Sequence, residues 1–206
     1  MSKILVEKNP KPSVDEVLFG SSDQALSYKI ARDEKAGIIK KIAPRIYTSN
    51  LNEQPEVLIK RNWYKILSHH FPGAIVSHRS AFEFKSSVAG EVFITYKYTK
   101  NIEFPGMVVR SLKGNGPING DNIFFEDLYV SQEARAYLEN FQSSRKSDNH
   151  SKILPREVIE AKLDKIIRVR GEEELNTLRD QARSIAKELD MKKEFDKLNK
   201  LITFDQ

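Results

Sequence analysis

The chain has 206 residues, 39% hydrophobic and 31% charged, with a formal net charge of +5 and no cysteine. A length of this order builds one or two domains with a real core, and the missing cysteines exclude disulfides, thiolate catalysis and cysteine-bound zinc and fit a reducing compartment. The modest positive charge favours polyanionic partners.

At the N-terminus, "MSKILVEKNPKPSVDEV" holds too few consecutive apolar residues for a signal peptide. No segment approaches the roughly 20 apolar residues of a membrane span. The expected location is therefore the cytoplasm, with no membrane partner. After the Pro/Lys-rich lead, "SVDEVLFGS" reads as a short helix begun at Ser13. "SSDQALSYKIARDEKAG" then carries a capping box, Ser21 with Gln24, and a glycine stop at Gly37. At 100° per residue Leu26 and Ile30 share one face, and Gln24, Tyr28, Arg32 and Lys35 the opposite one; Asp33 falls on the nominally buried side. A basic hairpin, "IIKKIAPRIYTS", follows at once, with Ala43-Pro44 as its turn.

Pro55 opens the next helix, whose stripe Ile59, Trp63, Ile66, Leu67 and His70 runs unbroken to "FPG". "AIVSH" is a short strand and "RSAFEF" a brief helix. Three β-rich runs follow, "EVFITYKY", "GMVVRSL" and "NIFFEDLYV", and then a helix capped by Ser131. "SSRKSDNHSK" is a polar linker. Beyond Pro155 come three apolar helical stripes: one with Val158, Ile159, Leu163, Ile166 and Ile167, one with Leu175, Leu178, Ala182, Ile185 and Leu189, and one with Phe195, Leu198, Leu201 and Ile202, the first two parted at Gly171. The expected fold class is α+β: an N-terminal winged helix-turn-helix (1–50), a mixed α+β domain (51–142), a linker (143–154) and a helical region (155–206).

From Lys29 to Lys65 cations outnumber acids, whereas the last third mixes both signs. A helix with a cationic outer face followed directly by a basic hairpin is the layout of a winged helix, in which the helix enters the major groove and the hairpin lies along the backbone. Double-stranded DNA is the expected partner. Arg32 and Lys35 on the helix, with Lys40, Lys41 and Arg45 on the wing, are the expected phosphate and base contacts; wing cations act by releasing counterions. Gln24 suits an adenine edge, unless capping occupies it, Arg32 suits guanine, and Ser27 and Tyr28 suit phosphates. The plainer alternative is a solvated amphipathic helix beside an ordinary charged hairpin.

"ALSYKIARDEKAGIIKKIAPRIYTS" resembles the N-terminal winged helix of AbiEi-type antitoxins, with Gly37, Lys40, Lys41, Arg45 and Tyr47 carrying the match; "SHRSAFEF" is similar to the element that follows it there. The resemblance implies transcriptional autoregulation of a toxin–antitoxin operon, with a cognate toxin as second partner. "FPGAIVSHRSAFEF", "FPGMVVRSLKGNGPINGD", "ARAYLEN" and "RGEEELNTLRDQARSIAKELDMKKEFDKLNKLI" resemble the region ahead of the catalytic domain in certain bacterial Fic-family proteins. That likeness implies the alternative of a non-catalytic regulatory module or partner of a Fic-domain adenylyltransferase.

No catalytic constellation is expected. Gly114-Asn115-Gly116 is followed by Pro117 where the Fic loop has arginine, and reads as a turn. Glu83-Phe84-Lys85 matches half of a nuclease signature without its upstream acid. The four histidines lack metal-ligand spacing. No cofactor and no metal are therefore expected. A homodimer would suit DNA reading, because paired half-sites need paired helices.

Overall fold

The computed structural model describes residues 16–84, 90–143 and 152–204. The chain begins with a strand, β1 (Val17–Phe19), runs through helix α1 (Gln24–Lys35), and returns as the hairpin β2 (Lys40–Ala43) and β3 (Ile46–Thr48). These strands form an antiparallel sheet ordered β1-β3-β2. The helix expected over "SVDEVLFGS" is thus corrected at Val17–Phe19, where a β-branched and an aromatic residue flank Leu18 and pair with Ile46–Thr48 of β3; Ser13 lies outside the described residues. The hairpin turn is Pro44-Arg45, one residue later than expected, with Ala43 facing Ile46 across it. Arg45 adopts φ 61° there, so proline followed by a positive-φ residue gives the pattern of a type II turn.

Helices α2 (Pro55–Arg61) and α3 (Trp63–His70) follow as two pieces of the one expected helix, separated by Asn62. The Asn62 side chain is buried, donating to the Leu58 carbonyl and to Glu16, and its backbone has φ −103° and ψ 19°. The break therefore serves a contact to a residue 46 positions away.

A six-stranded mixed sheet comes next, ordered β6-β7-β5-β4-β9-β8, from β4 (Ile75–Val76), β5 (Glu91–Tyr96), β6 (Lys100–Phe104), β7 (Met107–Lys113), β8 (Asn122–Phe125) and β9 (Leu128–Val130). The three expected runs hold four strands, and a fifth, β6, lies between them. Lys100–Phe104 was absent from the pattern, and "NIFFEDLYV" folds on itself at Glu126, which has φ 48°. Pairs β5/β7 and β4/β9 are parallel, the rest antiparallel. β5 is buried along its whole length because both faces are covered. Val92, Ile94 and Tyr96 join a core with α2, α3 and the small sheet's Val17, Ile42 and Ile46. The alternate positions face α4 (His78–Glu83), where the Thr95 hydroxyl donates to Ser77.

Helix α5 (Glu133–Glu139) is wholly buried from Ala134 onward. Ser131 does not cap it: the Ser131 hydroxyl donates to Glu139, and the residue at the cap is Gln132. Tyr137 and Leu138 build a second core with α6 (Arg156–Arg170), α7 (Glu172–Glu188) and α8 (Lys192–Phe204), whose buried positions belong to the expected stripes, with Ile167, Leu189 and Phe195 only partly buried against it. Val158 stands outside that core, 39% exposed. Gly171, at φ 91°, parts α6 from α7. Between the cores lies a buried ionic cluster. Arg135 donates through Nε to Glu139 at 2.9 Å, through Nη1 to Asp121 and the Gly116 carbonyl, and through Nη2 to the Asn115 carbonyl. The Gly114-Asn115-Gly116 segment is accordingly a loop gripped by α5.

Candidate nucleic-acid interface

α1 owes its bounds to local chemistry. Asp23, rather than Ser21, is the cap: its Oδ1 accepts from the Leu26 N–H at 2.9 Å, and the Ser21 hydroxyl accepts from the Asp23 N–H. Gln24 is the first helical residue, so its side chain is not spent on capping. At the other end Gly37, φ 71°, lets its own N–H reach the Glu34 carbonyl and the Ile38 N–H reach the Asp33 carbonyl, a Schellman closure. Arg32 and Lys35 occupy the last turn, where the helix dipole favours cations.

Between these caps no residue of α1 is buried. Leu26 is 53% and Tyr28 69% exposed. The side turned toward the sheet carries Ser27, Ile30, Ala31 and Glu34, which with Arg45 and Tyr47 line a cleft of about 380 Å³. Ser27 therefore faces inward, and its hydroxyl donates to the Ser21 carbonyl at 3.2 Å. Gln24, Tyr28, Arg32 and Lys35 remain together on the solvent side. Lys29, an exposed cation beside them, joins that surface although it was not singled out from sequence. Arg32 pairs with Asp33 at 3.2 Å, but at 75% side-chain exposure such a pair holds the guanidinium only weakly.

The hairpin residues divide three ways. Lys41 is exposed, and its ammonium makes no hydrogen bond or ion pair among the described residues. Lys40 is a tether: its ammonium donates to the Leu51 and Glu53 carbonyls, both at 2.7 Å, fastening β2 to the segment before α2. Arg45 closes a two-way clasp on Gly20, whose N–H donates to the Arg45 carbonyl at 2.7 Å while Arg45 Nη2 donates to the Gly20 carbonyl at 3.2 Å. The guanidinium stays exposed, with other N–H groups free to point outward.

The unit is fixed to the larger sheet domain on two sides. Arg61 pairs with both Glu16 and Glu53. Its hydrogen bonds pull the Glu16 carboxyl down to about 2, helped by Asn62 and Asn50 and opposed by burial. On the second side Phe19 stacks on His69 with ring centres 4.0 Å apart, while His70 lies edge-on to Phe19 and tilted over Phe104. Burial pushes His70 down to about 4, with His69, Lys100 and Arg45 adding repulsion, and its Nε2 is buried without a hydrogen bond among the described residues.

The motifs set aside from sequence are occupied in structural roles. Glu83 is held by Arg79 at 2.7 Å, and Lys85 lies outside the described residues. His78, buried at φ 54°, shares its ring nitrogens between Ser77 and Gln142. Among the described residues no group of three or more His, Asp or Glu is placed to hold a metal, and no helix is long and apolar enough to cross a membrane. No family model matches this chain, and no curated protein does either.

Proposed function

We propose that the chain is a non-catalytic, DNA-binding transcriptional regulator of the AbiEi antitoxin kind, acting in the cytoplasm on the operator of a toxin–antitoxin operon. The observation that carries the reading is the posture of α1: twelve residues, capped at both ends, none buried, standing between the first two strands of a three-stranded sheet. A helix that contributes no side chain to a core needs another reason to present Gln24, Tyr28, Arg32 and Lys35 in one row. A major groove supplies one. Lys41 and the outward part of Arg45 extend the row onto the hairpin, the position of a wing on the phosphate backbone, and Lys40 holds that hairpin in place. The winged-helix assignment rests on this layout and on the resemblance through Gly37, Lys40, Lys41, Arg45 and Tyr47. A cognate toxin would be met by the remaining α+β and helical parts, and two-fold operators would call for two copies of the chain.

The test is a fluorescence-anisotropy titration against the chain's own upstream DNA and a scrambled duplex at two salt concentrations. The native protein is expected to prefer its own DNA. Lys35→Glu with Lys41→Glu is expected to weaken binding to both duplexes and to reduce the slope of log K on log salt by about 2. Unchanged affinity in that variant refutes the assignment of the surface.

A further inference from the structure

A hollow lies far along the chain from α1, where the end of α5 meets α6 and α8. We propose that it is a binding site for a small amphipathic anion, an apolar body carrying one carboxylate. The proposal goes beyond the DNA-binding reading and does not depend on it.

The cavity measures about 510 Å³, inside the ~300–1,000 Å³ range of small-molecule sites. At the ~30 Å³ that a water-sized unit occupies in a liquid it has room for roughly 15 heavy atoms. Its floor is the buried Leu154, Ile159 and Leu201 with Phe141 beside them. A purely polar ligand would leave that floor uncovered, so the occupant needs an apolar body.

The charges on the rim decide its sign. Arg156, Lys197 and Lys200 line the hollow, and among the described residues none that lines it is acidic. Lys197 is held there, because its ammonium donates to the Phe141 carbonyl at 2.9 Å across 56 residues of sequence. Arg156 gives its Nε to Glu160 at 2.7 Å, which leaves its terminal nitrogens available. The Lys200 side chain is exposed, and its ammonium makes no hydrogen bond or ion pair among the described residues. Three cations around one apolar hollow repel each other, and a single carboxylate among them relieves that repulsion; a neutral or cationic ligand does not.

Isothermal titration calorimetry of the full chain with decanoate and with decylamine, both below their aggregation concentrations, tests this. Decanoate is expected to bind one to one with a Kd below about 100 µM, and decylamine at least about tenfold more weakly. Lys197→Glu with Lys200→Glu, both exposed positions, is expected to weaken decanoate at least about tenfold with an unchanged circular dichroism spectrum, the lost Lys197 bond to the Phe141 carbonyl lowering Tm only slightly. A folded Ile159→Phe variant, which fills the floor, is expected to lose binding of decanoate as well. Equal affinity for the two probes, no saturable heat with decanoate, or unchanged affinity in the charge-reversed variant overturns the proposal.

Discussion

Replacing Arg135 with methionine should be among the most damaging single changes in the chain. The Arg135, Asp121 and Glu139 side chains are 2%, 0% and 4% exposed, so the two carboxylates have little water to turn to once the guanidinium is gone. Removing one partner of a buried ionic group costs about 3–5 kcal/mol, and the Asn115 and Gly116 carbonyls lose their donors in the same step. For a chain of this size that is a fall in Tm of roughly 10 °C or more. The structure also says how to recover part of it. Glu139 uses Oε2 for the His78 N–H and the Ser131 hydroxyl and Oε1 for Arg135. A glutamine there keeps its oxygen for the first two partners and puts an uncharged amide where the orphaned Oε1 would be. Arg135→Met with Glu139→Gln should therefore be more stable than Arg135→Met alone by about 1–2 kcal/mol. Urea unfolding at pH 7 followed by circular dichroism measures both. A loss under about 1 kcal/mol in the single variant, or a double variant no better than the single, would refute the claim that uncompensated charge is the cause.

Three further outcomes are expected. Lys40→Met should lower stability by about 1–3 kcal/mol, because two backbone carbonyls lose a charged donor, yet leave the salt slope of DNA binding unchanged; a slope reduced by about 1 would show that Lys40 contacts phosphate instead. His70 has its folded pKa depressed to about 4, so the unfolded chain takes up the proton first and stability falls as pH drops from about 6.5 toward 4. Between pH 7 and pH 5 this contributes a loss of about 1 kcal/mol after allowance for solvent screening. Urea midpoints should show a flatter pH dependence in His70→Phe, and equal dependence in the two proteins would count against it. Gly106→Ala should cost about 1–3 kcal/mol, since φ is +69° and the new Cβ would sit 2.9 Å from Cβ of Glu56; a thermal melt within 1 °C of the parent would contradict that geometry.

What the sequence disclosed depended on how local its causes were. The limits of α1 were nearly readable, because Gly37 and a cluster of Ser and Asp are short-range signals, though the cap moved from Ser21 to Asp23. The C-terminal stripes were readable for the same reason: three helices each bury one face. β1 was not, since Val17–Phe19 is a strand only by pairing with residues about 30 positions on. The break at Asn62 likewise answers to Glu16. Within the candidate interface the outer row on α1 followed from helical geometry, whereas the fate of the cations did not. Lys40 and Lys41 are neighbours of the same type, and alternation along β2 sends one to backbone carbonyls and the other to solvent. Carbonyl acceptors leave no mark in a sequence, so a tether and a free cation look alike there. Arg135 was hidden for the same reason, its partners lying on a loop 14 to 20 residues upstream.

A helix that gives nothing to a core is also a helix that can be rewritten at little cost. Exposed positions such as 24, 28, 29, 32 and 35 tolerate most replacements within about 0.5 kcal/mol, provided Asp23 and Gly37 keep closing the ends. Evolution can therefore explore new side-chain combinations on this face without first acquiring compensating stability elsewhere. Divergence should accumulate fastest along α1 and slowest at its two caps, so that descendants of this chain share a scaffold while differing in the face it presents.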